Sequence, residues 1–357
     1  MPRKKKLPVA DQEPVMQLGL FRNFLGDRVD DLSNTILLWD LIPKYSISRQ
    51  TQDKMRDDKG NLPLRQVSFK HQGAEFIATI QPAMIQIKNH DGEFETKSYY
   101  PSATEELVEE ALRKLAADQN LQGGFYIEAN PIPKTGVMFT LYQLQEELKK
   151  HGHTRSVNEL KQSLEVLSGS LITISGTTID SSEIYNRRSP YLAGLDSVTK
   201  KDLSIDPSRK WVAHFHPMVS QGIGSLNYRQ YNYSKLMDYT TQLSRWIQRY
   251  LIHKYTFASL YKKFSIQFST IKRDSGMLDQ YTRQRAAIQK CDESLDELVK
   301  ANVLTGYERE EVTGSRGKIY DVTYQLTASP EFIKEAKAAN KRLLLDRDKL
   351  PKLKTIS

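Results

Sequence analysis

The stretch Phe264–Thr327, FSIQFSTIKRDSGMLDQYTRQRAAIQKCDESLDELVKANVLTGYEREEVTGSRGKIYDVTYQLT, decides the fold class. It opens with a short apolar segment. Ile288, Cys291, Leu295 and Leu298 then recur at i, i+3, i+7 and i+10, which gives one apolar stripe on a helix of about twenty residues. Val303 to Arg309 and Lys318 to Thr327 alternate as strands on either side of a Gly-rich tip, Thr313-Gly-Ser-Arg-Gly317. A basic helix followed by such a hairpin predicts a winged helix-turn-helix. In that module the last helix enters the major groove of DNA and the hairpin reaches the sugar-phosphate backbone.

The charge along this helix is polarised. Arg283, Arg285 and Lys290 lie in its first half, and Asp292, Glu293, Asp296 and Glu297 follow. The helix dipole favours acids at the N-terminus, so the arrangement suits a helix that offers that end to phosphates and base edges. Arg283, Gln284 and Arg285 are the expected base readers, because Arg pairs bidentately with guanine and Gln with adenine. Lys272, Arg273, Arg316 and Lys318 are expected to hold phosphates, with Lys290 on the same surface. The competing reading is a structural winged helix that binds only protein.

The whole chain of 357 residues carries 52 Lys and Arg against 43 Asp and Glu, a net of +9. Thr240–Lys290 holds ten basic residues (Arg245, Arg249, Lys254, Lys262, Lys263, Lys272, Arg273, Arg283, Arg285, Lys290) and two acids (Asp274, Asp279), so this block alone holds +8. Trp246, Tyr250, Tyr255, Phe257 and Tyr261 are interspersed, which predicts a folded basic surface and nucleic acid as its partner. No segment is long and apolar enough to span a membrane, and Met1–Lys6 is basic without the apolar run of a signal peptide. The single cysteine excludes an internal disulfide and any multi-Cys zinc site; Cys291 falls on the apolar stripe and reads as core.

Upstream the same pattern recurs. Ser102 with Glu105, Thr140 with Gln143, and Ser156 with Glu159 have the spacing of helix capping boxes. Three apolar stripes follow: Val108, Ala111, Leu115; Leu141, Leu144, Leu148; and Val157, Leu160, Leu164, Leu167. His151-Gly-His-Thr-Arg155 makes a corner between the second and third helices, and Leu171–Ile174 and Trp211–Phe215 read as strands. This predicts a first winged helix whose third helix, with only Glu159, Lys161 and Glu165 charged, suits protein contacts better than DNA. Ser175–Lys210 reads as an enlarged wing or loop, Val67–Ile87 as a small added sheet, and Gln50–Asn61 as a loop. The expected class is therefore α+β: two tandem winged helix-turn-helix domains with a flexible N-terminal tail and a small added sheet. The expected boundaries are residues 1–60 for the tail, 61–232 for the first domain with its 175–210 insertion, 233–330 for the second, and 331–357 for a C-terminal helix and basic tail.

Gln17-Leu-Gly-Leu-Phe21 matches the peptide that docks into bacterial sliding clamps, in which paired apolar side chains fill a pocket and the Gln amide hydrogen-bonds beside it. Gln17, Leu18, Leu20 and Phe21 are the expected contacts. Gly19 stands where that pattern has Ser or Asp. Together with Ser33-Asn-Thr35 to Arg49, Phe139-Thr-Leu-Tyr-Gln-Leu144, Tyr281-Thr-Arg-Gln-Arg285 and Cys291-Asp-Glu-Ser-Leu-Asp-Glu-Leu298, it gives a chain that resembles plasmid replication initiators of the TrfA type over residues 17–327. The resemblance implies a bacterial cytoplasmic, plasmid-associated protein that is not an enzyme and uses no cofactor or metal. It implies binding to double-stranded origin DNA at direct repeats (iterons), local duplex opening, and recruitment of the host sliding clamp and of the helicase with its loader or initiator. It also implies self-association between monomer and dimer.

Two other classes compete. A winged-helix transcription regulator would share the DNA contacts without needing the clamp peptide. A rolling-circle nuclease would use His214-Phe-His216 as metal ligands and Tyr228, Tyr231 or Tyr233 as nucleophile, but no third ligand is evident. Pull-down of a bacterial sliding clamp separates initiator from regulator. The wild-type chain is expected to retain the clamp and the Leu20→Ala/Phe21→Ala variant to lose it; failure of the wild type favours the regulator.

Overall fold

The computed structural model describes residues 32–71, 74–88, 92–121, 127–128, 134–177, 184–205, 210–219, 228–314 and 318–349. Strand β1 (Leu32–Ile36) leads into the short helix α1 (Leu37–Leu41), and α2 (Arg49–Met55) follows. Strands β2 (Arg65–His71), β3 (Ala74–Gln81), β4 (Ala83–Lys88) and β5 (Phe94–Tyr99) precede the long helix α3 (Ala103–Leu121). Next are β6 (Ile127–Glu128), β7 (Lys134–Phe139), α4 (Leu141–Lys150), α5 (Val157–Gly169), β8 (Leu171–Thr177), β9 (Ile184–Pro190), β10 (Leu192–Asp196), α6 (Lys200–Ile205) and β11 (Trp211–Phe215). Strand β12 (Tyr228–Asn232) and α7 (Tyr233–Met237) open the second half. It continues with α8 (Gln242–Lys254), β13 (Phe264–Gln267), α9 (Phe268–Ser275), α10 (Gln284–Lys300), β14 (Leu304–Thr313), β15 (Ile319–Ala328) and α11 (Pro330–Lys349). No helix among the described residues is long and apolar enough to cross a membrane.

The architecture is mixed α+β, and one element order occurs twice. In the first half a helix (α3), a strand (β7), two helices (α4, α5) and two strands (β10, β11) build a sheet ordered β10-β11-β7-β6. In the second, α8, β13, α9, α10, β14 and β15 build a sheet ordered β14-β15-β13. Each sheet packs on its own helices. One core gathers Val108, Ala111, Leu144, Leu148, Leu160, Leu164 and Leu167 with Val137, Phe139, Ala213 and Phe215. The other gathers Leu243, Ile247, Leu251, Ile271, Ile288, Cys291, Leu295 and Leu298 with Val322, Tyr324 and Leu326. The stripes at helical spacing thus become the two cores, and burial pushes the Cys291 thiol up to about 12, away from reactive thiolate chemistry.

The capping signals are realised. Thr140 and Ser156 each accept from the backbone of Gln143 and Glu159, which reach back in turn. Glu105 accepts from both the backbone and hydroxyl of Ser102, at 2.8 and 2.7 Å. Gly152, at φ +76°, makes the corner between α4 and α5 in a conformation that L side chains rarely adopt.

Three expectations about secondary structure are corrected. Leu171–Ile174 lies in β8, but it does not close the winged sheet; it pairs with β3 and β9 in a separate sheet ordered β2-β3-β8-β9. Its alternating Ile172 and Ile174 complete a face already formed by Ala78 and Ile80, so the "added sheet" captures the strand. Residues 184–205 are not a plain loop: they form β9, β10 and α6, and β10 supplies the hairpin partner of β11. Gln50–Asn61 is not all loop either. Arg49–Met55 is a helix, capped by Ser48 accepting from Thr51 N and anchored by buried Gln52, whose amide donates to Tyr100 O and accepts from Tyr100 N. A polar sequence concealed the helix because its buried contact is itself polar.

The two halves are joined by charge. Glu106, Glu109 and Glu110 of α3 and Asp40 of α1 are buried, and so are Lys44, Arg113, Arg245 and Arg249: four acids against four bases. Arg113 reaches Asp40 at 3.1 Å and Glu109 at 2.6 Å, while Arg249 of α8 reaches Glu106 at 2.5 Å and Glu110 at 2.8 Å. Arg245 meets Glu106 at 3.3 Å, and Trp39 and Tyr45 donate to Glu109. Burial works against the Glu106 and Glu109 carboxylates. The facing guanidiniums, and for both Lys44, outweigh it and hold both below the usual carboxylate range. The basic block therefore does not act as one surface: Arg245 and Arg249 point inward, a correction to the expectation from charge alone. Gly276, at φ +60°, ends α9 against Pro43, where an added Cβ would sit 3.2 Å from the proline ring.

Glu106→Ala leaves two buried arginines short of a counter-charge and is expected to lower unfolding free energy by about 3–5 kcal/mol in urea titration. Because both carboxylates are depressed in the folded state, their stabilisation is complete above the ordinary carboxylate range. It is lost as pH falls through that range toward their lowered values. A urea midpoint that stays flat across this interval contradicts the ion-pair account.

Candidate nucleic-acid interface

Helix α10 buries Ala287, Ile288, Cys291, Ser294, Leu295 and Leu298 and turns its first residues outward. Arg283 is its N-cap residue, with no side-chain cap bond and no acid in the first turn. Arg283 and Arg285 are exposed and form no ion pair among the described residues. An uncapped helix start that projects two guanidiniums is a site for anionic oxygen. Gln284 is exposed beside them, but its amide nitrogen donates to Tyr320 O at 2.9 Å, which ties the helix start to β15. The helix measures 17 residues, slightly shorter than its apolar pattern suggests.

The acids in the second half of α10 have structural partners. Asp292 accepts from Tyr324 Oη at 2.7 Å and Asp296 from Tyr307 Oη at 2.9 Å. Glu297 is bound by Ser244, Thr240 and Thr241 of the α8 start; burial works against its charge, and these hydrogen bonds outweigh it to keep the carboxyl below the usual range.

Helix α10 and the β14–β15 hairpin enclose a groove of about 710 Å³ lined by Gln284, Arg285, Ile288, Gln289, Lys318 and Ile319, with Asp292, Arg309 and Glu311 on the same wall. Arg309 is held by Asp292 at 3.3 Å and by Glu311 at 2.6 Å. A second groove, of about 500 Å³, lies between α9 and β15 and is lined by Lys272, Arg273, Tyr281, Thr282, Gln284 and Tyr320 among others. Asp321 of β15 fixes α9 there by accepting from Ser269 N at 2.9 Å and from its hydroxyl.

The structure therefore brings Lys272, Arg273, Gln284, Arg285 and Lys318 around two grooves that share Gln284, while Arg283 is exposed next to Gln284 and lines neither. Their free charge differs. Lys272 and Lys318 carry no ion pair among the described residues, whereas Arg273 is held bidentately by Asp274 at 2.6 and 2.9 Å. Lys290 is half-buried and paired with Glu293 at 3.1 Å. Arg316 and the Gln17, Leu18, Leu20, Phe21 peptide lie outside the described residues. Gln289 and Tyr320 were not legible as site residues, and Tyr281 and Thr282 only as part of the Tyr281–Arg285 segment. Gln289 stands one turn past Arg285, and that i, i+4 spacing was the available signal; Tyr320 is placed only by the fold.

Three candidates of the nuclease reading, His216, Tyr231 and Tyr233, lie in the interior. His216 stacks on Trp39 with ring centroids 4.0 Å apart, accepts from Met218 N at 3.1 Å, and is pushed down to about 3 by burial. Tyr231 and Tyr233 are buried, with Tyr231 Oη donating to Glu110 at 2.6 Å. Among the described residues no group of three or more His, Cys, Asp or Glu could hold a metal ion.

No protein-family model matches the chain, and no curated protein matches it in sequence. Among solved structures, a selenomethionine derivative of domains 2 and 3 of RctB is similar over 80% of this chain and 96% of that one, with 9% identity and a TM-score of 0.49. A second structure of RctB domains 2–3 covers 81% and 98% at 10% identity, with a TM-score of 0.46. The Pi initiator protein in complex with iteron DNA covers 84% and 98% at 10% identity, with a TM-score of 0.35. Likenesses of this size leave the assignment to the chain's own geometry.

Arg283→Ala is expected to cost about 1–3 kcal/mol of duplex binding and to flatten sequence preference, while Lys318→Ala weakens all sequences alike. Fluorescence-anisotropy titration against cognate and random duplexes checks both; equal losses on the two DNAs remove Arg283 from base reading.

Proposed function

We propose that the chain is a replication initiator built from two tandem winged helices, of which the second reads duplex DNA. The observation that carries this reading is the uncapped, acid-free start of α10 beside the β14–β15 hairpin, with Arg283 and Arg285 exposed and, among the described residues, without an ion pair. A hairpin flanking an outward helix start is the geometry that puts side chains on base edges and a wing on phosphates. Arg283, Gln284 and Arg285 would read bases, with Gln284 exchanging its bond to Tyr320 O for a base edge; Lys272 and Lys318 would hold phosphates, with smaller contributions from the already paired Arg273 and Lys290. Arg316 at the wing tip is assigned to the same backbone contact.

The first half repeats the element order, but the start of α5 exposes Asn158 and Glu159, with Glu159 in a capping box, where α10 exposes Arg285, and is a poor match to phosphates. Its role in this reading is to position the second half and meet protein. The choice of initiator over regulator rests on the Gln17–Phe21 peptide and on the resemblance to plasmid initiators. On that basis the partners are direct repeats at a plasmid origin, the host sliding clamp, and the helicase with its loader, in the bacterial cytoplasm. The reading includes no catalytic step, metal or cofactor; its two domains are residues 61–232 and 233–330, and the first takes in β1, α1 and α2 as well, since Trp39, Ile42 and Tyr45 are buried in its core rather than in a flexible tail.

Nuclease protection across the plasmid that encodes the chain tests the reading. A ladder of evenly spaced protected repeats, weakening steeply with added salt as counterion release requires, is the expected result. Protection confined to a single promoter-proximal site would move the chain to the regulators.

A further inference from the structure

The two halves leave a cleft of about 560 Å³ where they meet. Ser46, Thr51 and Arg65 line it from the first half, and Arg273, Asp279 and Gln280, at the end of α9 and just beyond, from the second. Arg65 is out of keeping with its position. Strand alternation puts Arg65, Val67 and Phe69 on one face of β2, opposite Ile80, Ala78 and Phe76, all three of them buried. This is the apolar face of the sheet, where a valine or leucine would suit position 65. Arg65 is half-buried there, and of its guanidinium only Nη1 is hydrogen-bonded among the described residues, to Ser46 Oγ at 2.8 Å. The Ser46 hydroxyl in turn donates to Pro43 O. No carboxylate pairs with Arg65 among the described residues; burial lowers its pKa, and Tyr191, Asp279 and Tyr100 offset this only in part. A half-buried guanidinium without a counter-charge is costly, and an anion beside it removes the cost.

We propose that this cleft binds a small phosphate monoester, with its phosphoryl oxygens on Arg65 and its hydroxyl groups on Asp279. The guanidinium fork matches the spacing of phosphate oxygens, and the volume falls among those of small-molecule sites. Among the described residues β2 is an edge strand, and it borders the cleft from Arg65 to Ser68, so outward backbone N–H groups are at hand for the same oxygens. Asp279 is exposed and has no ion pair among the described residues, which leaves it free to accept from a sugar hydroxyl. Thr51 Oγ1 reaches across to Gln280 Oε1 at 3.4 Å, a long bond that a ligand readily replaces. The cleft shares only Arg273 and Asp279 with the groove between α9 and β15. Because its walls come from both halves, the bound molecule braces one half against the other.

Isothermal titration calorimetry on the full chain without nucleic acid tests this, so its outcome is independent of duplex binding by α10. Ribose 5-phosphate is the probe, with ribose and sodium sulfate as comparisons. The wild type is expected to bind the phosphate ester more tightly than either comparison, and its urea midpoint to rise with added ester. Arg65→Gln is expected to weaken that binding by about tenfold to a hundredfold, as loss of charged hydrogen bonds implies, with circular dichroism confirming its fold. Thr51→Glu serves if Arg65→Gln does not fold. A glutamate there suits the helix start behind Ser48, and its carboxylate on the cleft wall is expected to repel the ester. A wild type that ignores ribose 5-phosphate or takes up ribose or sulfate equally well overturns the proposal, as does undiminished binding by either folded variant. Loss of duplex binding in Arg65→Gln, with no uptake of ribose 5-phosphate by the wild type, also overturns it and assigns Arg65 to the DNA backbone.

Discussion

The interlocked charges between α3, α1 and α8 are the constraint on which the arrangement of the molecule depends. Glu106 and Glu110 of the first half grip Arg249 of the second, and Arg113 gathers Asp40 and Glu109 behind them. With four acids and four bases the cluster is neutral as a whole, so it can be buried without stranding a charge. Hydrogen bonds from Trp39, Tyr45 and Tyr231 use the remaining carboxylate lone pairs. An apolar joint of the same size could slide; a set of charges that each need a particular partner has one register.

Helix α10 shows the same logic in a local form. Its C-terminal acids run against the helix dipole, and each is offset by a neighbour: Asp292 by Tyr324, Asp296 by Tyr307, Glu297 by the hydroxyls that begin α8. Its N-terminal basic residues Arg283 and Arg285 have no such partners among the described residues. The polarity that looks like one feature in sequence divides into a structural half, satisfied inside the molecule, and an open half facing the hairpin. That division lets the helix be rigidly held and still present unneutralised charge.

Much of the fold was legible because its signals are local. Capping pairs such as Thr140 with Gln143, and stripes such as Ile288, Cys291, Leu295 and Leu298, depend only on spacing along one helix. The hairpin of β14 and β15 followed from alternation about a Gly-rich tip. Pairing between distant strands was not legible. Strand β8 has the alternation that either sheet would accept, and whether it meets β3 or β11 depends on which apolar face is left incomplete. Helix α2 was hidden because Gln52 is buried by hydrogen bonds to Tyr100, which a hydropathy pattern cannot register.

The sequence by itself determined the helix periods, the caps, the core role of Cys291 and the basic start of α10, because each is a relation between residues within a few turns. Only the tertiary structure decided which charges are free. Arg245 and Arg249 look identical to Arg283 and Arg285 in a residue count, yet the first pair is spent on α3 and the second faces solvent. A charge is neutralised by whatever lies within a few ångströms in space, and Glu106 reaches Arg249 only after the two halves have come together.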